Sequence, residues 1–470
     1  METDVKEVLD ISETAPYNRF RTMTRRRAEM MDGRALRRMI LPLFLEQLLV
    51  ALVGLADVFV VGFVGEAAVS GVSLVNSFNT IFINLFTALA SGGAVVISQY
   101  IGRDERENAG RAASQLLAAS ALLSVGISLV TLAGNASIMR LMFGQVEAEV
   151  MDACVTYLRI CAYSYPALAI YNAGAALYRS FGKTSTTMYI SVAANGINVI
   201  GNCIGVFLLH AGVTGVAWPT LISRVFSAAA ITILCFSRTN PVCYMKKWIF
   251  CLDKDLQRRI LRIAVPNGVE SGIFQLVKVA LSSVVALFGT YQIAANGVAQ
   301  SFWSMAALVC TAMGPVFITV VGQAMGAGDV QAAEEGIKKL MKITLILAAA
   351  WNVFIFLLTP AVLQFYSLSE ETKELTILLV LIHNIFNTVA FPFADPLGKG
   401  LRAAGDVTFT TVTSLFTTIG VRLVFSWIFA VGMGMGVVGI ALAMAFDWCG
   451  RAVILLLRFR SGAWRRFRVI

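Results

Sequence analysis

Charge is scarce in this chain. Asp, Glu, Lys and Arg make up 14% of its 470 residues against 57% hydrophobic ones, and the mean hydropathy is +0.75. Those proportions exclude an ordinary soluble globular domain. Histidine is scarcer still: His210 and His383 fall in different halves, and no HExxH occurs. A metalloenzyme or a Ser-His or Cys-His enzyme lacks its parts, so no enzyme activity is expected. The eight cysteines (154, 161, 203, 235, 243, 251, 310 and 449) include no CxxC. They read as small packing residues rather than as metal ligands or a disulfide framework. No cofactor is expected, and no metal beyond a possible sodium site. Residues 1–38 are polar and Arg-rich with no apolar core, which argues against a cleavable signal peptide and for a cytoplasmic tail. The short alternating strands of a membrane barrel are also missing.

What is present is apolar length. Runs without Asp, Glu, Lys or Arg cover 112–139, 184–223, 279–328 and 343–369, each longer than the roughly 20 residues that a spanning helix needs. The expected fold is all-α and polytopic, with twelve transmembrane helices between residues 37 and 458, the tenth near 371–403. Basic residues support that count. With both termini inside, 31 of the 38 Lys and Arg fall in the cytoplasmic segments, and only Arg140 and Lys373 in outer loops. The formal net charge of +10 is therefore assigned to membrane topology and not to nucleic acid. The expected partners are the lipid bilayer of a plasma or inner membrane and small molecules, with the chain acting as a monomer.

The chain repeats itself. A slide of 224 puts Pro42 on Pro266, Glu46 on Glu270, Gly65 on Gly289, Gln99 on Gln323 and Gly102 on Gly326. A slide of 223 puts Arg179 on Arg402, Gly182 on Gly405 and Asn172 on Asp395. Six spans precede the basic hinge and six follow. The halves then enter from the same side, as two six-helix lobes related by a pseudo-twofold axis along the membrane normal. The expected division is a cytoplasmic basic tail at 1–36, an N-lobe at 37–237, a cytoplasmic linker at 238–258, a C-lobe at 259–459 and a basic tail at 460–470.

Acids inside apolar spans are costly, about 2.5–3.5 kcal/mol each even on insertion scales, and are kept for transport or for pairing. Asp57, Glu270 and Asp395 are the candidates for taking a proton or a desolvated cation. Glu46, near its helix start, is weaker. Lys278 lies eight residues after Glu270 and can reach an acid on a neighbouring helix. Asp447 and Arg451, four apart, are expected to pair, and Arg422 to pair across helices. Asn198 and Asn202 lie one turn apart on one face. Phe78, Tyr163, Tyr171, Phe274, Trp303 and Phe391, with Asn172 and Lys278, are candidates for lining a tolerant substrate pocket.

The pattern P-x-x-x-E-x-x-x-x-x-x-x-G-L-A-D-x-x-x-V-G-x-x-G, the G-R-D and G-A-G-D turns, LYRSFGKT, LRAAGD and GVAWPTLISR together resemble the MATE (multidrug and toxic compound extrusion) transporters. The likeness runs from about residue 35 to 460 and is nearest the NorM-like branch. The resemblance implies a secondary antiporter that exports organic cations in exchange for H+ or Na+ by alternating access. It matches the family's acids to Asp57, Glu270 and Asp395, and its N-lobe cation site to Asp57, Asn198, Asn202 and Thr220. Asn202 stands where many members carry Asp, leaving Asp57 as that site's only acid. The rival reading is a flippase for a lipid-linked precursor of the same superfamily, which calls for a more cationic cleft.

Overall fold

The computed structural model describes residues 32–366 and 368–470. Up to residue 31, the expected N-terminal tail lies outside the described residues. The N-lobe consists of α1 (Gly33–Gly62), α2 (Glu66–Gly102), α3 (Arg106–Phe143), α4 (Ala148–Ser180), α5 (Thr184–Leu208) and α6 (Thr214–Cys235). After a linker holding the short helix Lys246–Phe250 come α7 (Lys254–Phe288), α8 (Thr290–Gly326), α9 (Val330–Leu363), α10 (Glu370–Val389 with Phe391–Ala403), α11 (Val407–Gly432) and α12 (Gly436–Arg460).

Ten of these are long and apolar enough to cross a membrane, and α10 makes an eleventh if its two pieces form one span. The piece left out is α4. It has the length, but Tyr163, Tyr165, Tyr171, Ser164 and Asn172 dilute its apolar stretch. It packs against α2, α3 and α6, so the polar groups meet protein. The tenth span, expected near 371–403, is not straight: it bends by 54° between Val389 and Phe391. Pro392 and Pro396 follow the break, each removing a helix N–H. Several helices start on side-chain caps: Asp253 accepts from the backbone N–H groups of Asp255 and Leu256, Asp329 from Ala332, and Ser369 from Thr372.

The repeat is visible in the backbone. Positive φ occurs at Gly65 and Gly289, Asp104 and Gly328, His210 and Gly434, and Gly212 and Gly436. Each pair is 224 residues apart, while Gly182 and Gly405 are 223 apart. The π-turn that ends α5, Ile204–Leu208, returns as Ile428–Gly432 in α11. Gly215 and Gly439, also 224 apart, let helices touch closely: an added Cβ would lie 2.7 Å from Gly205 and 2.6 Å from Ala430.

The apolar core explains the shape. At the end where α2 meets α3 and α8 meets α9, one cluster runs through both lobes, with Leu89, Ile97, Leu177, Ile260, Phe317 and Leu401 buried together. Towards the other end each lobe has its own core. Val75, Phe86, Tyr157 and Val216 belong to one, and Val277, Leu281, Leu379 and Ile440 to the other. The lobes are thus fused at the end bearing most of the basic connectors and separate at the opposite end. The fused seam consists of α2 against α7 and α8, with α1 against α8. That set maps onto itself when the halves are exchanged.

Candidate functional site

In the N-lobe, three helices bring four polar side chains into one chain of hydrogen bonds. Asn202 on α5 donates its Nδ2 to Asp57 Oδ1 on α1 at 2.7 Å, and lies 3.3 Å from Asn198 Oδ1. Asn198 donates to Thr220 Oγ1 on α6 at 3.1 Å, and Thr220 donates to the main-chain oxygen of Val216 at 3.0 Å. The four-residue spacing on α5 makes this possible by placing both amides on one helix face. The π-turn begins two residues after Asn202. Such insertions recur where a helix serves a functional site.

Asn202 is fully buried, and its Oδ1 has no hydrogen-bond partner among the described residues. An orphaned acceptor beside a carboxylate and two further oxygens is a donor set suited to a small hard cation or a proton. One carboxylate supplies the only formal charge within these four groups. Among the described residues, no cluster of three or more His, Cys, Asp or Glu side chains has metal-binding geometry.

The acids shared by the repeat sit in twin arrangements. In the N-lobe, Arg179 donates to Glu46 Oε1 at 2.7 Å, Thr187 to Oε2 at 3.1 Å, and Tyr171 to Oε1 at 3.3 Å. In the C-lobe, Arg402 donates to Glu270, to Asn267 Oδ1 at 3.0 Å and to Thr410 Oγ1 at 3.0 Å. Thr187 and Thr410 are 223 apart, as are the two arginines. Glu270 therefore meets Arg402, not Lys278, which is exposed. Asp395, at the bend of α10, pairs with Lys399 one turn on at 2.8 Å. No hydrogen bond or ion pair among the described residues joins Glu270 to Asp395.

At the C-lobe place corresponding to the N-lobe set, every member changes. A slide of 224 sets Arg422 on Asn198, Ser426 on Asn202, Leu281 on Asp57 and Met444 on Thr220. Arg422 is 4% exposed and pairs with the fully buried Asp447 at 3.1 Å. Arg451 holds the other oxygen of Asp447, also at 3.1 Å, and donates to the hydroxyls of Thr417 and Thr418. The expected Asp447–Arg451 pair is present, with Arg422 as a third member. Phe274, proposed for the pocket, lies under the Arg422 guanidinium at 5.0 Å.

The pocket aromatics divide. Trp303 and Phe391 meet at 6.4 Å, and both contact Trp448, at 6.0 and 5.1 Å. Trp448 was not singled out from the sequence, where only the charges flanking it drew notice. Phe78 lines an apolar cavity of about 390 Å³ between α2 and α3 with Phe82, Leu122 and Ile138, and Asp57 is not part of its lining. Tyr171 is engaged by Glu46, Tyr163 is exposed and Asn172 is half-buried. Arg179, Arg402 and Lys399 were also missed as partners, because their positions at helix ends placed them among the connector charges.

Comparison with known proteins agrees with this architecture. Residues 42–204 and 266–428 each match the MatE family model, two copies starting 224 apart. The uncharacterized transporter YisQ of Bacillus subtilis is 26% identical over 433 residues, 90% of this chain and 93% of its own. A probable multidrug resistance protein NorM of Thermotoga maritima is 22% identical, covering 92% and 93%. A solved structure described as the outward-facing conformation of a multidrug resistance MATE family transporter of the MOP superfamily aligns with TM-score 0.86. It shares 23% identity with this chain over 92% of it and 96% of the solved chain.

Proposed function

The chain belongs to the MatE family of membrane transporters, and from that premise we propose that it is a secondary antiporter exporting organic cations in exchange for H+ or Na+. The coupling ion binds at Asp57, Asn198, Asn202 and Thr220. What carries this reading is the buried, unpartnered Oδ1 of Asn202 next to a half-buried carboxylate. An incoming cation would find oxygens already gathered and lose little by leaving water. A proton would settle on Asp57 with the amide as its neighbour.

Glu270 and Asp395 remain acids of the exchange, in a different order. Each is neutralised by its own cation, Arg402 or Lys399, and must change partners before it accepts another. The N-lobe acid is therefore loaded first. A cationic substrate in the divided end of the molecule competes for Asp395 when Lys399 swings away, with Trp303 and Phe391 offering aromatic faces. Loading then favours one lobe arrangement over the other, because an ion can shift such an equilibrium only by its differential affinity for the two states.

The test is dye efflux from proteoliposomes under separately imposed proton and sodium gradients. One gradient is expected to drive efflux, and Asp57→Asn to abolish it while the protein remains folded. Efflux indifferent to both gradients, or an Asp57→Asn variant at wild-type rate, overturns the proposal.

A further inference from the structure

The seam between the lobes is closed by one latch built twice. Gln99 of α2 donates its Nε2 to the main-chain oxygen of Ala403, at the end of α10, at 2.8 Å. Gln323 of α8 donates its Nε2 to the main-chain oxygen of Ser180, at the end of α4, at 2.6 Å. The glutamines are 224 apart and the acceptors 223 apart, so the two bonds exchange when the halves exchange.

Beside each latch the helices touch backbone to backbone. A Cβ added to Gly102 would lie 2.0 Å from the main-chain oxygen of Gln323, and one added to Gly326 2.0 Å from that of Gln99. Each glutamine thus offers its side chain to the other lobe's helix end and its carbonyl to the other lobe's glycine. The acceptors directly follow Arg179 and Arg402, which Glu46 and Glu270 hold within their own lobes. One bond breaks the symmetry. Thr319 donates to the main-chain oxygen of Arg179 at 2.8 Å, while Val95 stands at the equivalent position of α2.

We propose that Gln99 and Gln323 are positioning residues for transport: their paired bonds hold the lobes shut at the basic end, and this end opens only when both are broken. The proposal rests on the alternating-access reading above for its part in transport, though not for the geometry. Gln99 is buried and Gln323 half-buried, and an amide donor in such a seam is costly to leave without an acceptor. A partly opened seam therefore gains nothing until water reaches both glutamines, which makes closure two-state rather than graded.

The test places spin labels at the exposed twin positions Glu107→Cys and Gln331→Cys, at the starts of α3 and α9, in a Cys251→Ser background. Cys251 is the exposed one among the native thiols. In lipid nanodiscs the unaltered seam should give one short distance. Gln99→Leu with Gln323→Leu should raise the longer-distance population about tenfold, or ~1.4 kcal/mol, the scale of two net hydrogen bonds.

Gln99→Leu alone and Gln323→Leu alone should each open the seam less than the double variant and to a similar extent, because each leaves the other latch and the Thr319 bond in place. Adding Thr319→Val to Gln323→Leu should open it further, because only the Gln99 bond then remains. Should the glutamine variants fail to fold, Gly102→Ala tests the same seam by forcing a methyl against Gln323. An unchanged distance distribution in folded double-leucine protein, or in Gly102→Ala, overturns the proposal. If the antiport reading alone is wrong, the distances still respond to the latch while gradients fail to drive efflux.

Discussion

The two lobes share a backbone plan but answer one electrostatic question in opposite ways. At equivalent places on α5 and α11, beside equivalent π-turns, the N-lobe carries two amides, one of them bonded to Asp57, and the C-lobe carries Arg422 paired with Asp447. One lobe leaves a carboxylate beside the buried, unpartnered amide oxygen of Asn202. The other supplies a tethered guanidinium, and a second one from Arg451. A duplicated scaffold can keep its helix starts, turns and seam while one copy places a carboxylate among amides and the other places a carboxylate between two guanidinium groups. The lesson is that a shared backbone plan does not fix which charges it buries: the same two turns hold amides in one copy and an arginine in the other.

The sharpest way to break the comparison is Asp447→Asn. It strips two buried guanidinium groups of their counter-ion, and loss of one partner from a buried charge cluster costs about 3–5 kcal/mol. Thermal unfolding in detergent should show a large fall in Tm or no folded protein. Asp57→Asn should do the reverse, ending gradient-driven efflux at nearly unchanged Tm. If the two variants behave alike in both assays, the contrast between the two places is wrong.

A smaller effect separates bracing from ion binding. Glu46→Gln and Glu270→Gln each strand an arginine, Arg179 or Arg402, and should lower stability by similar amounts, about 1–3 kcal/mol, read by chemical or thermal unfolding. Equal losses mark the two as twin braces. Loss of coupling in Glu270→Gln alone, with efflux kept in Glu46→Gln, assigns Glu270 to the ion path. The smallest effect is expected from Asn202→Asp, which adds a second carboxylate beside Asp57. It should shift the sodium activation curve of efflux to lower concentration, and an unmoved curve counts against sodium at this place.

Much of the architecture was legible because it rests on local chemistry. Apolar length marked the helices, and the slide of 224 carried over to positive-φ positions such as Gly65 and Gly289. The pair Asp447–Arg451 was readable from its four-residue spacing, and Asp395–Lys399 has the same spacing and went unnoticed. Glu270 shows where reading along one helix stops. Its partner, Arg402, lies on another helix, and no local spacing points there. The repeat still held the clue: Glu46 and Glu270 align, Arg179 and Arg402 align, and a pair formed in one copy is expected in the other. The bend in α10 was missed despite two prolines, since an apolar run alone does not reveal a change of direction. Asp57, Asn198, Asn202 and Thr220 were grouped through the family resemblance, since nothing in the spacing of α1, α5 and α6 fixes which faces meet.

The acceptors of the twin latch are main-chain oxygens, and this gives the seam an uneven tolerance of mutation. Ser180 and Ala403 already differ in side chain, yet both accept the same bond. Substitutions there leave the acceptor in place as long as the helix end keeps its path. The donating side has no such latitude, because only a long side-chain amide reaches across and only glycine clears the opposing carbonyl. The acceptor positions, fully buried themselves, can therefore exchange one small residue for another and keep the bond, while Gln99, Gly102, Gln323 and Gly326 are each held to a single residue type.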